Sequence, residues 1–388
     1  MSEARIAEAL ATIPVSVITG FLGSGKTTLL NALLARPEMR DTAVLVNEFG
    51  EVGLDHLLVR QVTEEIVLLN SGCICCTVRE DLVQSLRELF IRRLRGEVPQ
   101  FRRVAIETTG LADPAPVIQT LITDVTLADR YRVDGIVTTV DAVLGSDQLD
   151  RHPESVKQAA VADRLVLTKV DLAPAAVRDS LRRRLRNINP GAVLIEAVNG
   201  EVEPAALLNV GLYDPETKSA DVRRWLNDAA YAQADAENHD HGHGHEGEDE
   251  HDHGHDHHHR SVNRHDDHIG TFCLVHDRPI PWQGFVTFLE ALLATQGQNV
   301  LRIKGLLNVI GQDRPIVVHG VQHVFHPPAA LPAWPDADRS SRIVFITHDI
   351  GRAAVEQTFR TFIQAALEAE AGAATDAEPT PGAAGRAR

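Results

Sequence analysis

Short apolar runs alternate with amphipathic stretches along the first half of the chain. Runs of strand length lie at residues 13–19, 42–46, 65–69, 103–107, 133–140, 162–167 and 193–195. Between them, residues 81–95 place Leu82, Leu86 and Leu89 three or four positions apart, the spacing of one helix face. Strands that alternate with helices indicate a parallel sheet covered by helices. We therefore predict a doubly wound α/β domain for residues 1–212.

The pattern changes after residue 212. Residues 238–268 contain twelve of the 19 histidines of the chain among Asp, Glu and Gly, and this composition cannot form a packed core. We predict a linker at residues 213–268 that ends in this disordered His-rich segment. Such a segment offers exchangeable sites for Zn²⁺, Ni²⁺ or Co²⁺; the alternative is an inert solvating linker.

Regular patterns return at residue 269. A strand is predicted at residues 269–275, a helix at 281–294, three or four short strands up to 346, and a closing helix at 351–367. These elements predict a smaller C-terminal α+β domain at residues 269–367, followed by a disordered tail at 368–388 rich in Ala, Gly and Pro.

Charge and composition exclude several classes of partner. Residues 235–267 hold eleven Asp or Glu and two Arg, so the rest of the chain carries only −7 of the net charge of −16. A chain without a basic surplus is poorly suited to nucleic acid, and the lack of an apolar run of about 18 residues argues against a membrane span. Four cysteines without a disulfide framework, and no signal-peptide pattern, favour the reduced cytoplasm.

A glycine-rich turn follows the first predicted strand in the P-loop pattern Gly-x-x-x-x-Gly-Lys-Thr. In that arrangement backbone N–H groups surround phosphates at a helix N-terminus. Lys26 is predicted to reach the β- and γ-phosphates, and the Thr27 hydroxyl is predicted to bind Mg²⁺. The predicted nucleotide-binding residues of this turn are Gly20, Gly23, Ser24, Gly25, Lys26, Thr27 and Thr28.

Glu107 and Gly110 follow the strand at residues 103–107 with the spacing of an Asp-x-x-Gly switch, with Glu in place of Asp. Glu107 is predicted to hold a Mg²⁺-bound water, and the Gly110 N–H is predicted to sense the γ-phosphate. With Lys26 and Thr27 they form the predicted catalytic set.

Thr168, Lys169 and Asp171 form an Asn/Thr-Lys-x-Asp loop after the strand at residues 162–167. In guanine-nucleotide proteins the Asp of this loop accepts hydrogen bonds from guanine N1 and N2, and the Lys packs over the ring. Adenine lacks that pair of donors. The loop therefore favours GTP over ATP.

An acidic loop follows the strand at residues 42–46. Glu48, Glu51 and Asp55 lie there among two glycines. Loops at this place in nucleotide switches become ordered around the γ-phosphate and Mg²⁺. The sequence leaves open whether any of the three serves Mg²⁺, the attacking water or a second metal, or whether the loop is only a solvated segment.

Three thiols, those of Cys73, Cys75 and Cys76, lie within four residues of a predicted strand-to-helix turn. Thiolates are soft metal ligands; the alternative is three small apolar residues in a turn. The spacing is tighter than that of a closed structural zinc site and predicts a partial, switch-dependent site. The turn lies at a strand carboxyl end, where ligands of open sheets collect.

A second group of metal-ligating residue types lies in the C-terminal domain. Its members are Cys273, His276, His319, His323 and His326. Histidine at alternating strand positions is more often a half-buried or surface residue, and a metal site is the alternative.

Taken together, the motifs at residues 20–27, 47–51, 72–76, 107–114 and 168–171 resemble the CobW family of metallochaperone GTPases. Residues 301–305, 320–322 and 342–346 resemble the C-terminal domain of that family. The resemblance implies a P-loop GTPase whose Cys-x-Cys-Cys motif binds Zn²⁺ or a related divalent ion and passes it to a client metalloprotein. Thr168 replaces the Asn that is commoner in the family.

The expected function is that GTP and Mg²⁺ order a metal site which hydrolysis then loosens. The predicted ligands of the cargo ion are Cys73, Cys75 and Cys76, with help from Glu51. Thr27 is predicted to bind Mg²⁺, and Glu48 is a predicted metal ligand whose ion is left open. The alternatives are a cobalt-handling GTPase of cobalamin synthesis using Co²⁺, a His-rich metal buffer and, more distantly, a P-loop kinase. A nucleotide-dependent homodimer is left open.

Overall fold

The computed structural model describes residues 12–46, 68–70, 78–208 and 268–376, with the backbone alone at 68–70, 78–80 and 372–376. Seven parallel strands of the first part form one sheet in the order β3-β2-β4-β1-β5-β6-β7. They are β1 Ile13–Gly20, β2 Thr42–Val46, β3 Leu68–Asn70, β4 Arg103–Glu107, β5 Tyr131–Asp141, β6 Arg164–Thr168 and β7 Val193–Ala197. The predicted parallel sheet is confirmed.

Helices cover both faces of this sheet. They are α1 Lys26–Leu34, α2 Val78–Arg95, α3 Ala115–Thr123, α4 Val125–Ala128, α5 Gly145–Arg151, α6 Pro153–Val161, α7 Ala175–Ile188 and α8 Pro204–Leu207, with a 3₁₀ turn at Pro37–Met39. Leu29 and Leu33 of α1 pack on the face that presents Ile18 and Val44. The helices α2, α3, α6 and α7 pack on the opposite face. The first domain is therefore doubly wound.

The strand order reverses between β1 and β4. The chain passes from β1 to β2 on one side and from β4 to β5 on the other. Glu107, the last residue of β4, is in register with Ile18 of β1 and with Val46 of β2, and Val46 is in register with Asn70. Ligands of open parallel sheets bind at such a reversal, beyond the carboxyl ends of the strands.

The second domain is a six-stranded antiparallel sheet with two helices. Its elements are β8 Ile269–His276, α9 Trp282–Gln296, β9 Val300–Leu307, β10 Ile316–Val321, β11 Val324–Phe325, β12 Ala329–Ala330, β13 Ser341–His348 and α10 Arg352–Asp376. The strand order is β11-β10-β9-β13-β8, and β12 pairs with β10. An aromatic core of Phe272, Phe285, Phe288, Phe345 and Phe359 joins the helices to one face of the sheet. The predicted α+β class is confirmed.

The closing helix extends further than the sequence analysis predicts. It ends at Asp376 rather than at residue 367, so the first residues assigned to the disordered tail are helical. The added turns are rich in Ala and Glu, which are strong helix formers, and this propensity outweighs a single glycine. No helix in the described ranges is long and apolar enough to span a membrane.

The two domains share apolar clusters. Val321 and Val324, on either side of the β10–β11 turn, belong to a cluster with Ile118 and Leu121 of α3. Ile269, Leu301 and Ile346 belong to another, with residues of α6 and α7. Burial of apolar side chains on both sides of the boundary therefore stabilises the docked arrangement.

A buried ionic cluster lies at the same boundary. Asp163 accepts hydrogen bonds from Arg302 and, at 3.0 Å, from Lys304, and all three side chains are at most 8% exposed. Burial would raise the pKa of Asp163, but the two cations hold it well below its usual range. Burial and the Arg302 charge lower the pKa of Lys304 to about 8. One carboxylate thus balances two cations from the second domain.

Candidate functional site

The glycine-rich turn after β1 depends on backbone conformations that favour glycine. Gly20, Gly23 and Gly25 have φ angles of 141°, 72° and 94°. A Cβ atom on Gly20 would lie 2.3 Å from the Thr139 hydroxyl oxygen. The turn therefore needs glycine both for its backbone and for its contact with β5. It delivers the chain to α1, whose N-terminal N–H groups form an anion-binding end.

Lys26 lies inside the curve of this turn. Its Nζ donates hydrogen bonds to the carbonyl oxygens of Gly20 at 3.0 Å and Phe21 at 3.2 Å. The side chain is buried. The ammonium group is thus held within the glycine-rich turn, and its contact with the β- and γ-phosphates stays a prediction.

Thr27 and Glu107 meet at the reversal point of the sheet. The Thr27 hydroxyl donates to Glu107 Oε1 at 2.6 Å, and Glu107 is buried at the end of β4. A hydroxyl and a carboxylate are the oxygen ligands that Mg²⁺ prefers. This pair fits the Mg²⁺ site that the sequence predicts, with Glu in the place that Asp has in the commoner switch.

Gly110 passes directly against the glycine-rich turn. A Cβ atom at this position would lie 2.7 Å from the backbone nitrogen of Leu22. Gln158 of α6 donates to the carbonyl oxygens of Gly110 at 3.2 Å and Ala112 at 3.0 Å. The segment after β4 is therefore fixed between the glycine-rich turn and α6, with the Gly110 backbone against the turn.

Thr168 and Lys169 brace the same turn from β6. The Thr168 hydroxyl donates to the Ser24 carbonyl oxygen at 2.7 Å, and Lys169 Nζ donates to that of Gly23 at 2.8 Å. Asp171 is exposed two positions further along the loop, where it is accessible to a base. The structure thus brings residues 168–171, the predicted base-reading loop, to the glycine-rich turn, although the residues in contact are more than 140 positions apart in the chain.

A second turn contacts the start of α1. Asn199 and Gly200 have φ angles of 52° and 76°, and Val198 and Glu201 pair across them. A Cβ atom on Gly200 would lie 2.7 Å from the Thr28 carbonyl oxygen. This loop, which follows β7, therefore packs beside the predicted nucleotide-binding residue Thr28.

Comparison with known proteins adds to this geometry. The model of the CobW/HypB/UreG nucleotide-binding domain matches residues 14–196, and that of the cobalamin synthesis protein cobW C-terminal domain matches residues 269–363. The chain is 31% identical over 334 residues to the zinc chaperone YjiA of Escherichia coli (strain K12), which covers 86% of this chain and 93% of the relative. The chain belongs to the CobW family.

Two further similarities cover nearly all of this CobW family protein. The zinc chaperone CobW of Pseudomonas aeruginosa is 32% identical over 385 residues, covering 91% of this chain and 92% of the relative. The crystal structure of Zn(II)-bound YjiA GTPase from E. coli matches with a TM-score of 0.64 at 27% identity, covering 91% of this chain and 99% of that one. Both the family indicated by the motifs and the two-domain fold predicted from the apolar pattern are confirmed.

Five of the predicted metal ligands of this CobW family protein lie outside the described residues. They are Cys73, Cys75, Cys76, Glu48 and Glu51, together with Asp55 of the acidic loop. The described strand β3 ends at Asn70, three positions before Cys73, and pairs with β2. The chain therefore leaves β3 towards the cysteine motif at the carboxyl ends of the strands, where Glu107 also lies.

The alternative metal group in the C-terminal domain is wrong for Cys273. This residue is buried with Leu306, Val317, Leu331 and Val344 in an apolar cluster. Within the ranges that the structure describes, no three His, Cys, Asp or Glu side chains form a group suited to a metal ion. His319 is buried near Lys304 and Arg302. Burial, and to a smaller extent the charges of these cations, keep its pKa well below the usual value. A neutral structural histidine fits that environment.

Sequence reasoning missed Asp141 and Gln158. Asp141 is buried at the end of β5 and accepts from Lys169 Nζ at 2.6 Å. Gln158 is buried on α6 and holds the Gly110 segment. The signal for Asp141 was a carboxylate placed directly after a long apolar strand. For Gln158 it was a polar residue on the apolar face of a helix.

Asp141→Asn is expected to raise the KM for GTP about tenfold and to change kcat less than about twofold, because a charge-assisted hydrogen bond contributes about 1.5–3 kcal/mol. Asparagine keeps an oxygen for the N–H groups of Val143 and Leu144, but it loses the charge that orients Lys169. Steady-state hydrolysis with GTP checks this, with Asp147→Asn on the exposed surface of α5 as the matched control. An unchanged KM would contradict the role of Asp141.

Proposed function

We propose that this chain is a GTPase that binds Zn²⁺ through Cys73, Cys75 and Cys76 and transfers it to a client metalloprotein. The observation that carries the proposal is the 2.6 Å hydrogen bond between Thr27 and Glu107 at the reversal of the sheet. It joins the phosphate-binding turn to β4, and β4 is followed in the sheet by β2 and then by β3, which leads to the cysteines.

The described residues support each part of GTP hydrolysis. Backbone N–H groups of the turn and Lys26 would hold the phosphates, and Asp171 would accept from guanine N1 and N2. Thr27 and Glu107 would hold Mg²⁺, which neutralises charge on the phosphates. Water then attacks the γ-phosphorus, and the bond between that phosphorus and the oxygen bridging the β- and γ-phosphates breaks. The products are GDP and inorganic phosphate.

Zn²⁺ is the favoured cargo because thiolates are soft ligands, and because the matched relatives YjiA and CobW are zinc chaperones by name. Co²⁺ handling is the alternative, and competition between the two ions for the purified protein distinguishes them. The thiols must stay reduced to bind metal, so a cytoplasmic location is part of the proposal. The client would receive the ion when hydrolysis loosens the site.

The cysteines are tested by replacing all three with serine. The Zn²⁺ affinity in the presence of a non-hydrolysable GTP analogue is expected to fall at least ~100-fold, because the loss of even outer-shell partners of a metal site costs about 10–100-fold. GTP affinity should change less than about twofold, since the described nucleotide contacts are untouched. Metal competition titrations and nucleotide titrations measure the two quantities.

A chain lacking residues 238–268 is the control for this experiment. It keeps the three cysteines and removes all twelve histidines of the His-rich segment. A metal chaperone should retain the nucleotide-dependent Zn²⁺ site in this variant, whereas a His-rich buffer should lose its metal. Equal Zn²⁺ affinity of the intact chain with GDP, with the GTP analogue and without nucleotide would overturn the coupling between GTP and metal.

A further inference from the structure

The β10–β11 turn of the second domain reaches the segment that follows Gly110. Val321 and Val324 are paired across a two-residue turn, and both are buried against α3. Gln322, the first residue of the turn, has a φ angle of 52°. Its backbone N–H donates to the Leu301 carbonyl oxygen at 3.0 Å. The position of the Gln322 side chain is thus set by its backbone and by apolar anchors on both sides.

Gln322 contacts the first domain through one carboxylate. Its Nε2 donates to Asp113 Oδ2. The other oxygen of Asp113 accepts from the Ala115 N–H at 2.9 Å, at the start of α3. Asp113 lies three positions after Gly110. Gln322 of the second domain therefore holds the Asp113 carboxylate, which lies at the end of the Glu107 to Asp113 segment.

A second connection reaches the same segment through α6. Gln158 of α6 holds the carbonyl oxygens of Gly110 and Ala112. At the carboxyl end of this helix, the Val161 carbonyl oxygen accepts a hydrogen bond from Arg302. A cation at that end also interacts favourably with the helix dipole. Arg302 follows Leu301, the residue that binds the backbone of Gln322, so both connections start from one short stretch of β9.

We propose that Gln322 is a positioning residue for GTP hydrolysis. By holding Asp113, it keeps Glu107 and the Gly110 N–H in the arrangement in which they act on the γ-phosphate. The hydrolysis rate then depends on the docking of the second domain, and a partner that moves the β10–β11 turn would change that rate. This inference rests on the roles proposed above for Glu107 and Gly110.

The position of Gln322 predicts an effect on kcat rather than on KM. The phosphate-binding turn and the base-reading loop do not use Asp113, so nucleotide binding should be retained. Small displacements of catalytic groups lower rates steeply, by up to 10²-fold for about 1 Å. We expect Gln322→Ala to lower kcat about tenfold with KM for GTP within about twofold of the wild type.

Reversal of the hydrogen bond tests the contact itself. Gln322→Glu places a carboxylate against that of Asp113 and should lower kcat further than Gln322→Ala, because like charges repel. Adding Asp113→Asn supplies an amide donor to the new glutamate while its oxygen still accepts from Ala115. The double variant is expected to recover kcat to within about threefold of the wild type.

The same substitution at exposed Gln312 of the second domain is the matched control. Circular dichroism and thermal unfolding establish that each variant is folded. Unchanged kcat in Gln322→Ala and Gln322→Glu, an equal loss in Gln312→Ala, or failure of Asp113→Asn to rescue Gln322→Glu would each overturn the inference. A variant that loses overall stability shows a lowered Tm, whereas loss of the positioning role lowers kcat at an unchanged Tm.

Failure of this inference is distinguishable from failure of the proposed function. If Glu107→Gln loses hydrolysis while the Gln322 variants hydrolyse GTP normally, the GTPase site stands and only the role of Gln322 is wrong. If Glu107→Gln hydrolyses GTP normally, the catalytic roles proposed for Glu107 and Gly110 are wrong, whatever the Gln322 variants show.

Discussion

Asp163→Ala is expected to lower the free energy of unfolding by about 3–5 kcal/mol, because it leaves two buried cations without their shared carboxylate. The side chains of Arg302 and Lys304 are at most 8% exposed, so water cannot replace Asp163 without disturbing the domain boundary. Asp163 also accepts from the Ile136 N–H at 3.0 Å, and that donor loses its partner as well. Denaturant unfolding measures the loss.

Two optical signals separate the parts of this transition. Trp282 and Trp334 lie in the second domain, so tryptophan fluorescence is weighted towards its unfolding, whereas circular dichroism follows the whole chain. Replacing Arg302 and Lys304 by methionine in the Asp163→Ala background removes the stranded charges and should recover most of the stability, because apolar residues of similar volume often replace buried ion pairs without loss. A loss below about 1 kcal/mol for Asp163→Ala would contradict the buried cluster, since that is the range of exposed pairs.

Glu107→Gln is expected to lower the kcat for GTP hydrolysis about 100-fold or more, a loss typical of removing one group that stabilises transition-state charge. The amide has nearly the same size and still accepts from the Thr27 hydroxyl, so the turn should keep its shape. The lost charge is the one that would hold Mg²⁺ and its bound water.

Single-turnover hydrolysis and a nucleotide-binding titration together test this expectation. GTP affinity should fall less than about tenfold, because Lys26 and the backbone of the turn remain. Glu97→Gln, at an exposed residue paired with Arg95, is the matched control. Hydrolysis within about threefold of the wild type would show that Glu107 has only a structural role.

The places of the predicted nucleotide-site residues in the fold could be inferred from the sequence because their signals are local. Lys26 and Thr27 directly follow the glycine-rich turn, Glu107 ends an apolar strand, and Lys169 and Asp171 share one loop. Each motif carries its own spacing, and the parallel strand order then brings the loops to one edge. The fold class could be predicted for the same reason, since strand and helix periods are properties of neighbouring residues.

The contacts between the domains were not predictable in this way. Asp163 and Arg302 are 139 positions apart, and Asp113 and Gln322 are 209 apart. Their pairing depends on how two completed domains dock, and no local period encodes that. One signal was available: Arg302 and Lys304 alternate with apolar residues on a strand that is buried on both faces, which indicates an ionic partner elsewhere.

The cluster that joins Val321 and Val324 to α3 restricts how domains can be exchanged between relatives. A second domain taken from another CobW family protein would place different side chains against the first-domain surface of this chain. Packed cores tolerate changes of side-chain volume poorly. A working hybrid would need matched residues at three places: this cluster, the Asp113–Gln322 hydrogen bond and the cations around Asp163. The second domain therefore cannot be exchanged as an independent module.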